Sequence, residues 1–128
     1  MTQAGAFSLG NNKDFYLNNF GNHERDFTYI KDVVKILEKL IKIKNFKHKI
    51  LNVCSSRPIN IKNLSDYLKK NLKIKKIIEI KKNSYDVNKT HGDNSLLKKY
   101  LKLKKFTNFK IGLNKTVKWY LKNKIYKL

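Results

Sequence analysis

The 128-residue sequence holds one cysteine, one proline, one tryptophan and one methionine. A lone thiol, Cys54, excludes an internal disulfide framework and a cysteine-rich zinc site, and suits a reducing compartment. Its setting, ILNVCSS, reads as a buried strand, so an inert core thiol is expected rather than a nucleophile. One proline and five glycines provide no linker tract, and no repeat or low-complexity block interrupts the chain, which is the size of one domain with a modest core. No apolar run approaches the roughly 20 residues needed to cross a bilayer, and MTQAGAFSLG lacks the basic and long apolar regions of a signal peptide. A cytoplasmic location without membrane contact is the expectation.

Arginine is also scarce: of 30 basic residues only Arg25 and Arg57 are arginine. The net charge of +21 and pI near 10.1 would ordinarily suggest phosphate-rich partners. Recognition of phosphates and base edges favours the planar, paired donors of arginine over the point charge of lysine. The lysine excess, together with abundant asparagine and isoleucine, reads as the bias of an A/T-rich coding pool. Nucleic acid is therefore not the expected partner, and a basic module for RNA or an anionic surface stands as the alternative.

Chemistry-bearing motifs are few. No Gly-x-Gly-x-x-Gly, phosphate-loop Gly-Lys-Ser/Thr or Tyr-x-x-x-Lys pair on a plausible catalytic helix occurs, and Tyr67-Leu-Lys-Lys puts lysine at the wrong offset. His23, His48 and His91 have no partner at helical spacing, so no metal site is assigned and all three read as solvated loop histidines. Asp86 and Asp93 share a loop without a period that would pair them, and Asp93 reads as a helix cap. No catalytic residue is assigned.

What is present is an alternation of strand-like and helix-like segments, with residues 1–14 forming a loose start. DFYLNNF at 14–20 reads as a strand ended by Gly21-Asn22. Apolar positions 30, 33, 34, 37, 40 and 41 mark one face of a helix to about Lys44. HKILNVC at 48–54 reads as a strand covered on both faces. Asn60 caps a helix to Leu72, IKKIIEI at 74–80 reads as a strand, and 83–94 as loop. A short helix capped by Asp93 or Asn94 runs to Leu101, and a last one spans about Leu113 to Lys124. The order predicts an α/β fold of three short strands and about four helices, with too few elements to cover the strand at 48–54.

Arg25 follows a glycine turn and precedes the first helix, a place where the helix dipole favours an anion. Its alternative is a salt bridge to Asp26 or Asp32. FGNHERDFTYIKDVVKILEKLI resembles the Y/F-G-x-x-x-R-D-F-x-Y/H-V/I-x-D-V/I-V segment of extended short-chain dehydrogenase/reductase proteins. ILNVCSSRPINIKNL resembles their N-I/V-G-x-x-x-P stretch, YDVNKTHGDNSLLKKYLKL their G-D-V-x-x-T-x-A-D-x-S-x-L-x-x-x-L-G stretch, and IGLNKTVKWYLKN their closing G-L-x-x-x-V-x-W-Y helix. The four lie in family order over residues 15–124 and resemble the C-terminal half of NAD-dependent nucleotide-sugar epimerases and dehydratases, most of all UDP-glucuronate 4-epimerases.

The resemblance implies a truncated fold without the N-terminal Rossmann half, in which 15–128 form a substrate-binding portion. It implies a UDP-sugar as ligand, with Arg25 on the pyrophosphate, the chain near Asn18 and Phe20 against the base, and Asp86 on the ribose hydroxyls. Asn83 stands where relatives place a further contact, beside Lys81 and Lys82. NAD serves the intact family, and none is expected to be held by this chain alone. A complementary Rossmann chain or self-association is the implied partner, and a decayed gene fragment is a further alternative. Among the departures from the pattern, Tyr85 and Cys54 replace glycines, and Lys31 replaces an acid. Without its partner layer, the helix at 30–44 is expected to expose an apolar face.

Overall fold

A computed structural model describes residues 14–44, 50–72, 74, 76–82 and 84–123. The expectations placed on residues 1–13, His48 and Asn83 lie outside the described residues.

Alternation in Phe-Tyr-Leu-Asn turns Leu17 inward and Tyr16 to solvent, giving strand β1 (Phe15–Asn18) one buried face. Strands β2 (Glu24–Asp26) and β3 (Pro58–Asn60) form an antiparallel pair with Arg25 opposite Ile59. Strand β4 (Ile77–Ile80) lies parallel to β1, pairing Phe15 with Ile77 and Asn18 with Ile80. Four α-helices complete the fold: α1 (Ile30–Ile41), α2 (Ile61–Asn71), α3 (Ser95–Leu101) and α4 (Phe109–Asn123). The α/β class is borne out, with one more strand than anticipated among the described residues.

Helix starts follow from local side-chain acceptors. The Asn60 side-chain oxygen takes the Lys62 N–H at 2.9 Å, that of Asn108 takes Lys110 N–H at 3.0 Å, and Asp93 takes Ser95 N–H at 2.8 Å. Helix α4 starts before the expected Leu113 because Asn108 supplies that acceptor. Asp32 in the first turn of α1 accepts from Thr107 N at 2.7 Å and Thr107 Oγ1 at 2.9 Å, tying the α3–α4 connection to α1.

Two apolar clusters hold these elements together. Ile36, Leu97 and Phe106 join α1 to α3, with Leu51 and Val53 packed beside them. Leu64, Leu68 and Val117 join α2 to α4, flanked by Phe27 and Phe109 with ring centres 5.4 Å apart. Burying each such side chain stabilises by about 1.5–3 kcal/mol. Gly112 lets α4 approach Tyr29, since a Cβ there would meet that ring at 3.3 Å.

The strand expected at 48–54 is not seen over its described part. Residues 50–54 carry no ladder: Leu51 and Val53 face the core while Ile50 and Asn52 are exposed. Side-chain amides take the place of a neighbouring strand. Asn94 Nδ2 donates to Cys54 O at 2.7 Å, and Asn52 Nδ2 donates to Asp93 O at 3.2 Å. The physical reason is that no described strand lies alongside to exchange main-chain bonds.

Candidate functional site

Because β1 and β4 are parallel, both end at the same edge, the side of an open α/β sheet where ligands are generally received. Beyond Asn18 the chain makes a 3₁₀ turn with Asn19, Phe20 and Gly21 all at positive φ (49°, 54° and 78°). Glycine is required at the third position, where a Cβ would lie 2.9 Å from Lys62 Cβ. This strained turn leaves the Phe20 ring exposed. Beyond β4, the loop crosses β2 through Glu24 N–H to Asn88 O at 2.9 Å and Thr90 N–H to Glu24 O at 3.1 Å. That crossing sets Asp86 over Arg25.

The Asp86 carboxylate is the hub of the resulting cluster. Its Oδ1 accepts from Arg25 Nη2 at 2.6 Å, while Oδ2 accepts from Asn18 Nδ2 at 3.0 Å and lies 3.2 Å from His23 Nδ1. Arg25 Nη1 donates to Glu24 O at 2.9 Å and to Asn88 O at 3.4 Å. Arg25, Asp86 and Asn18, widely separated in sequence, are thus brought together, with Phe20 on the adjoining turn. Lys82 is exposed just past β4, and its charge bears on His23.

Several expectations are corrected here. Arg25 belongs to β2, and helix α1 begins five residues later at Ile30, so the guanidinium is placed by strand pairing rather than by a helix dipole. Its acidic partner is neither Asp26 nor Asp32 but Asp86, because Asp32 holds Thr107 and Asp26 is taken up by other donors. Asp26 accepts from Ser55 Oγ and from the N–H groups of Ser56, Arg57 and Gly92. Burial alone would raise its pKa, but the Ser55 hydroxyl and these three N–H groups outweigh it and hold the carboxyl below the usual range. His23 is not solvated: it is 3% exposed. Burial, with Arg25 and Lys82 adding to it against the opposing pull of Asp86, lowers its pKa and keeps the ring neutral at neutral pH. With Nδ1–H directed at Asp86, Nε2 is buried and has no hydrogen-bond partner. No period in the sequence marks His23 as buried.

Tyr85, in place of a glycine, does not have positive φ and is 93% exposed, so the substitution leaves the Asp86 backbone unstrained. Cys54 is half-buried, and burial followed by the nearby Asp26 charge pushes its thiol pKa up, consistent with an inert group. His91 is exposed, with Nε2 3.2 Å from Ser56 Oγ. A cavity of about 480 Å³ lies apart from the Asp86 cluster, between α2 and α4, walled by Leu68, Leu113, Val117 and Trp119.

The described residues do not fit a dinucleotide. The strand-to-helix junction from β3 into α2 contains no glycine, and its first free N–H is satisfied by the Asn60 side chain. Gly21, Gly92 and Gly112 all lie at other kinds of position. No step through NAD is derived for this chain.

No family model matches the chain. An uncharacterised protein of Methanocaldococcus jannaschii is 37% identical over 116 residues, covering 88% of this chain and 34% of that protein. UDP-glucuronate 4-epimerase 4 of Arabidopsis thaliana is 33% identical over 118 residues, covering 80% and 27%. Among solved structures, MoeE5 in complex with UDP-glucuronic acid and NAD superposes with a TM-score of 0.75 at 19% identity, over 87% of this chain and 38% of that one. The UDP-glucose 4-epimerase of Thermotoga maritima with UDP-glucose gives 0.73 at 22%, over 88% and 36%. This is the fold of the C-terminal part of extended short-chain dehydrogenase/reductase proteins. The resemblance carried by the four motifs is borne out in sequence and in fold. The chain spans about a third or less of the length of the curated relatives it matches, and its likeness to nucleotide-sugar epimerases and dehydratases supports a sugar-nucleotide-related function. Among the described residues no helix is long and apolar enough to cross a membrane.

Proposed function

We propose that this chain is the substrate-gripping portion of a UDP-sugar 4-epimerase of the UDP-glucuronate type. The observation that carries the reading is the convergence of Arg25, Asp86 and Asn18 at the shared end of β1 and β4. Arg25 is the cation for the diphosphate, because a guanidinium offers paired donors to phosphate oxygens. Asp86 is the acceptor for the ribose hydroxyls, and Asn18 with Phe20 borders the base. Lys82 supplies further polar contact at the rim, and Asn83, outside the described residues, is the other candidate that the family pattern offers. The sequence relatives named as UDP-glucuronate 4-epimerases and the neighbour holding UDP-glucuronic acid support this choice of ligand.

Hydride chemistry in such proteins is the work of NAD, and the polypeptide's part is to hold the sugar against it. This chain supplies the hold and no catalytic base, so alone it is inactive. A complementary Rossmann-type chain, or association with a second copy, would complete the enzyme. Titrating UDP-glucuronate into the ¹⁵N-labelled protein tests the grip. Shifts confined to Asn18, Phe20, Arg25 and Asp86, absent in Arg25→Ala, are expected; no shift at millimolar ligand would refute the reading.

A further inference from the structure

The Arg25 guanidinium is not waiting open for a phosphate. Nη2 is committed to Asp86 Oδ1 at 2.6 Å, and Nη1 to the main-chain oxygens of Glu24 and Asn88. The two oxygens of Asp86 are held differently. Oδ1 has Arg25, a long side chain able to swing, whereas Oδ2 is fastened by Asn18 Nδ2 at the end of β1 and faces the buried His23 Nδ1.

We infer that the Arg25–Asp86 pair is a latch that the ligand exchanges: a diphosphate takes Nη2 of Arg25, and the vacated Oδ1 of Asp86 then accepts a diol hydroxyl. Oδ2, still fastened by Asn18 and His23, keeps the carboxylate in place during the exchange. This rests on the proposed nucleotide reading and adds a mechanism of selection to it. A nucleoside has the diol but no anion to draw Arg25 away. Free pyrophosphate has the anion but leaves Asp86 uncompensated beside a lost partner, which costs the desolvation of a half-buried charge. Only a ligand carrying both groups at the right separation restores both halves of the broken pair. Asn18 and His23 are positioning residues, not contacts with the reacting atoms.

The exchange predicts how binding divides between ligand parts. At fixed ionic strength, affinities for pyrophosphate, uridine and UDP are measured on the wild type and on Asp86→Asn, with Asp93→Asn as the control for removing an exposed carboxylate elsewhere. Asp86→Asn frees Arg25 and is expected to tighten pyrophosphate about tenfold, the scale of one charge-assisted hydrogen bond, while the preference for UDP over pyrophosphate shrinks. The gain is lost in Arg25→Ala/Asp86→Asn. Asn18→Ala frees the fixed oxygen and also removes the acceptor of Asn19 N–H, neither of which touches Arg25, so the UDP preference falls while pyrophosphate affinity is unchanged.

Equal pyrophosphate affinity in the wild type and Asp86→Asn, or an equal gain in Asp93→Asn, overturns the latch. If UDP binds and no gain appears, the latch fails and the nucleotide reading stands. A gain without any UDP binding shows that Asp86 holds Arg25 back from an anion but removes the nucleotide reading, and the diol half of the exchange falls with it. Should Asp86→Asn not fold, the wild type decides by NMR: pyrophosphate must move the Arg25 guanidinium and Asp86 carboxyl resonances together, and movement of Arg25 alone overturns the proposal.

Discussion

Cys54 and Gly92 pack as a pair. Cys54 stands where the family pattern has glycine, and Gly92 stands where it has alanine. The two are in contact, and a Cβ on Gly92 would lie 2.6 Å from Cys54 Sγ. Side-chain volume absent at one position is present at the other, so the two share one packing space. Gly92→Ala alone should therefore destabilise by about 1–3 kcal/mol, the usual size of overpacking. Adding Cys54→Gly should recover most of that loss in a thermal-melt double-mutant cycle, and simple additivity would contradict the coupling.

At the scale of elements, α1 has an apolar arc wider than its contact with the rest of the described chain. Ile36 is buried against Leu97 and Phe106, yet Ile30, Val34, Leu37 and Ile41 form a stripe with exposures between 46% and 84%. Ile36→Ala should cost about 2–5 kcal/mol in chemical denaturation. Leu37→Lys, which removes no described core contact, should change stability by less than about 0.5 kcal/mol. Periodicity disclosed α1, α2 and the β1 and β4 segments because each repeats over at least a full turn or pleat. It could not disclose β2 and β3, whose three residues each are fixed by one another across a long separation. The same limit hid His23 and the Arg25–Asp86 bond, which exist only because the 84–90 loop crosses β2. Arg25 and Asp86 themselves were legible as motif residues, and only their pairing was not.

For the molecule as a whole, two groups tie stability to acidity in the same direction. His23 has its folded pKa lowered chiefly by burial, and Arg25 and Lys82 add to this while Asp86 opposes it. The unfolded chain therefore takes a proton first as pH drops below about 6.5, and stability present above that value is lost. Asp26 is likewise depressed, so its contribution persists until the pH falls through the ordinary carboxylate range near 3.9 and below. Denaturant midpoints should accordingly decline in two stages between neutral and acid pH. His23→Gln should remove the upper stage alone, and an unchanged upper stage would refute the role given to His23.

The parallel pairing of β1 with β4 also fixes an order of events during synthesis. Phe15–Asn18 is translated well before its hydrogen-bonding partner Ile77–Ile80. Until then β1 has no ladder, Asn18 cannot reach Asp86, and the left-handed turn at Asn19–Gly21 has only its local bonds, from Asn19 N–H to Asn18 Oδ1 and from Asn22 N–H to Asn19 O. The edge that forms the candidate site can therefore close only once β4 has emerged, and the two helical clusters wait longer still, because α3 and α4 follow β4 in the chain. A nascent chain stalled before β4 emerges should carry α1 and α2 without any grip at Arg25.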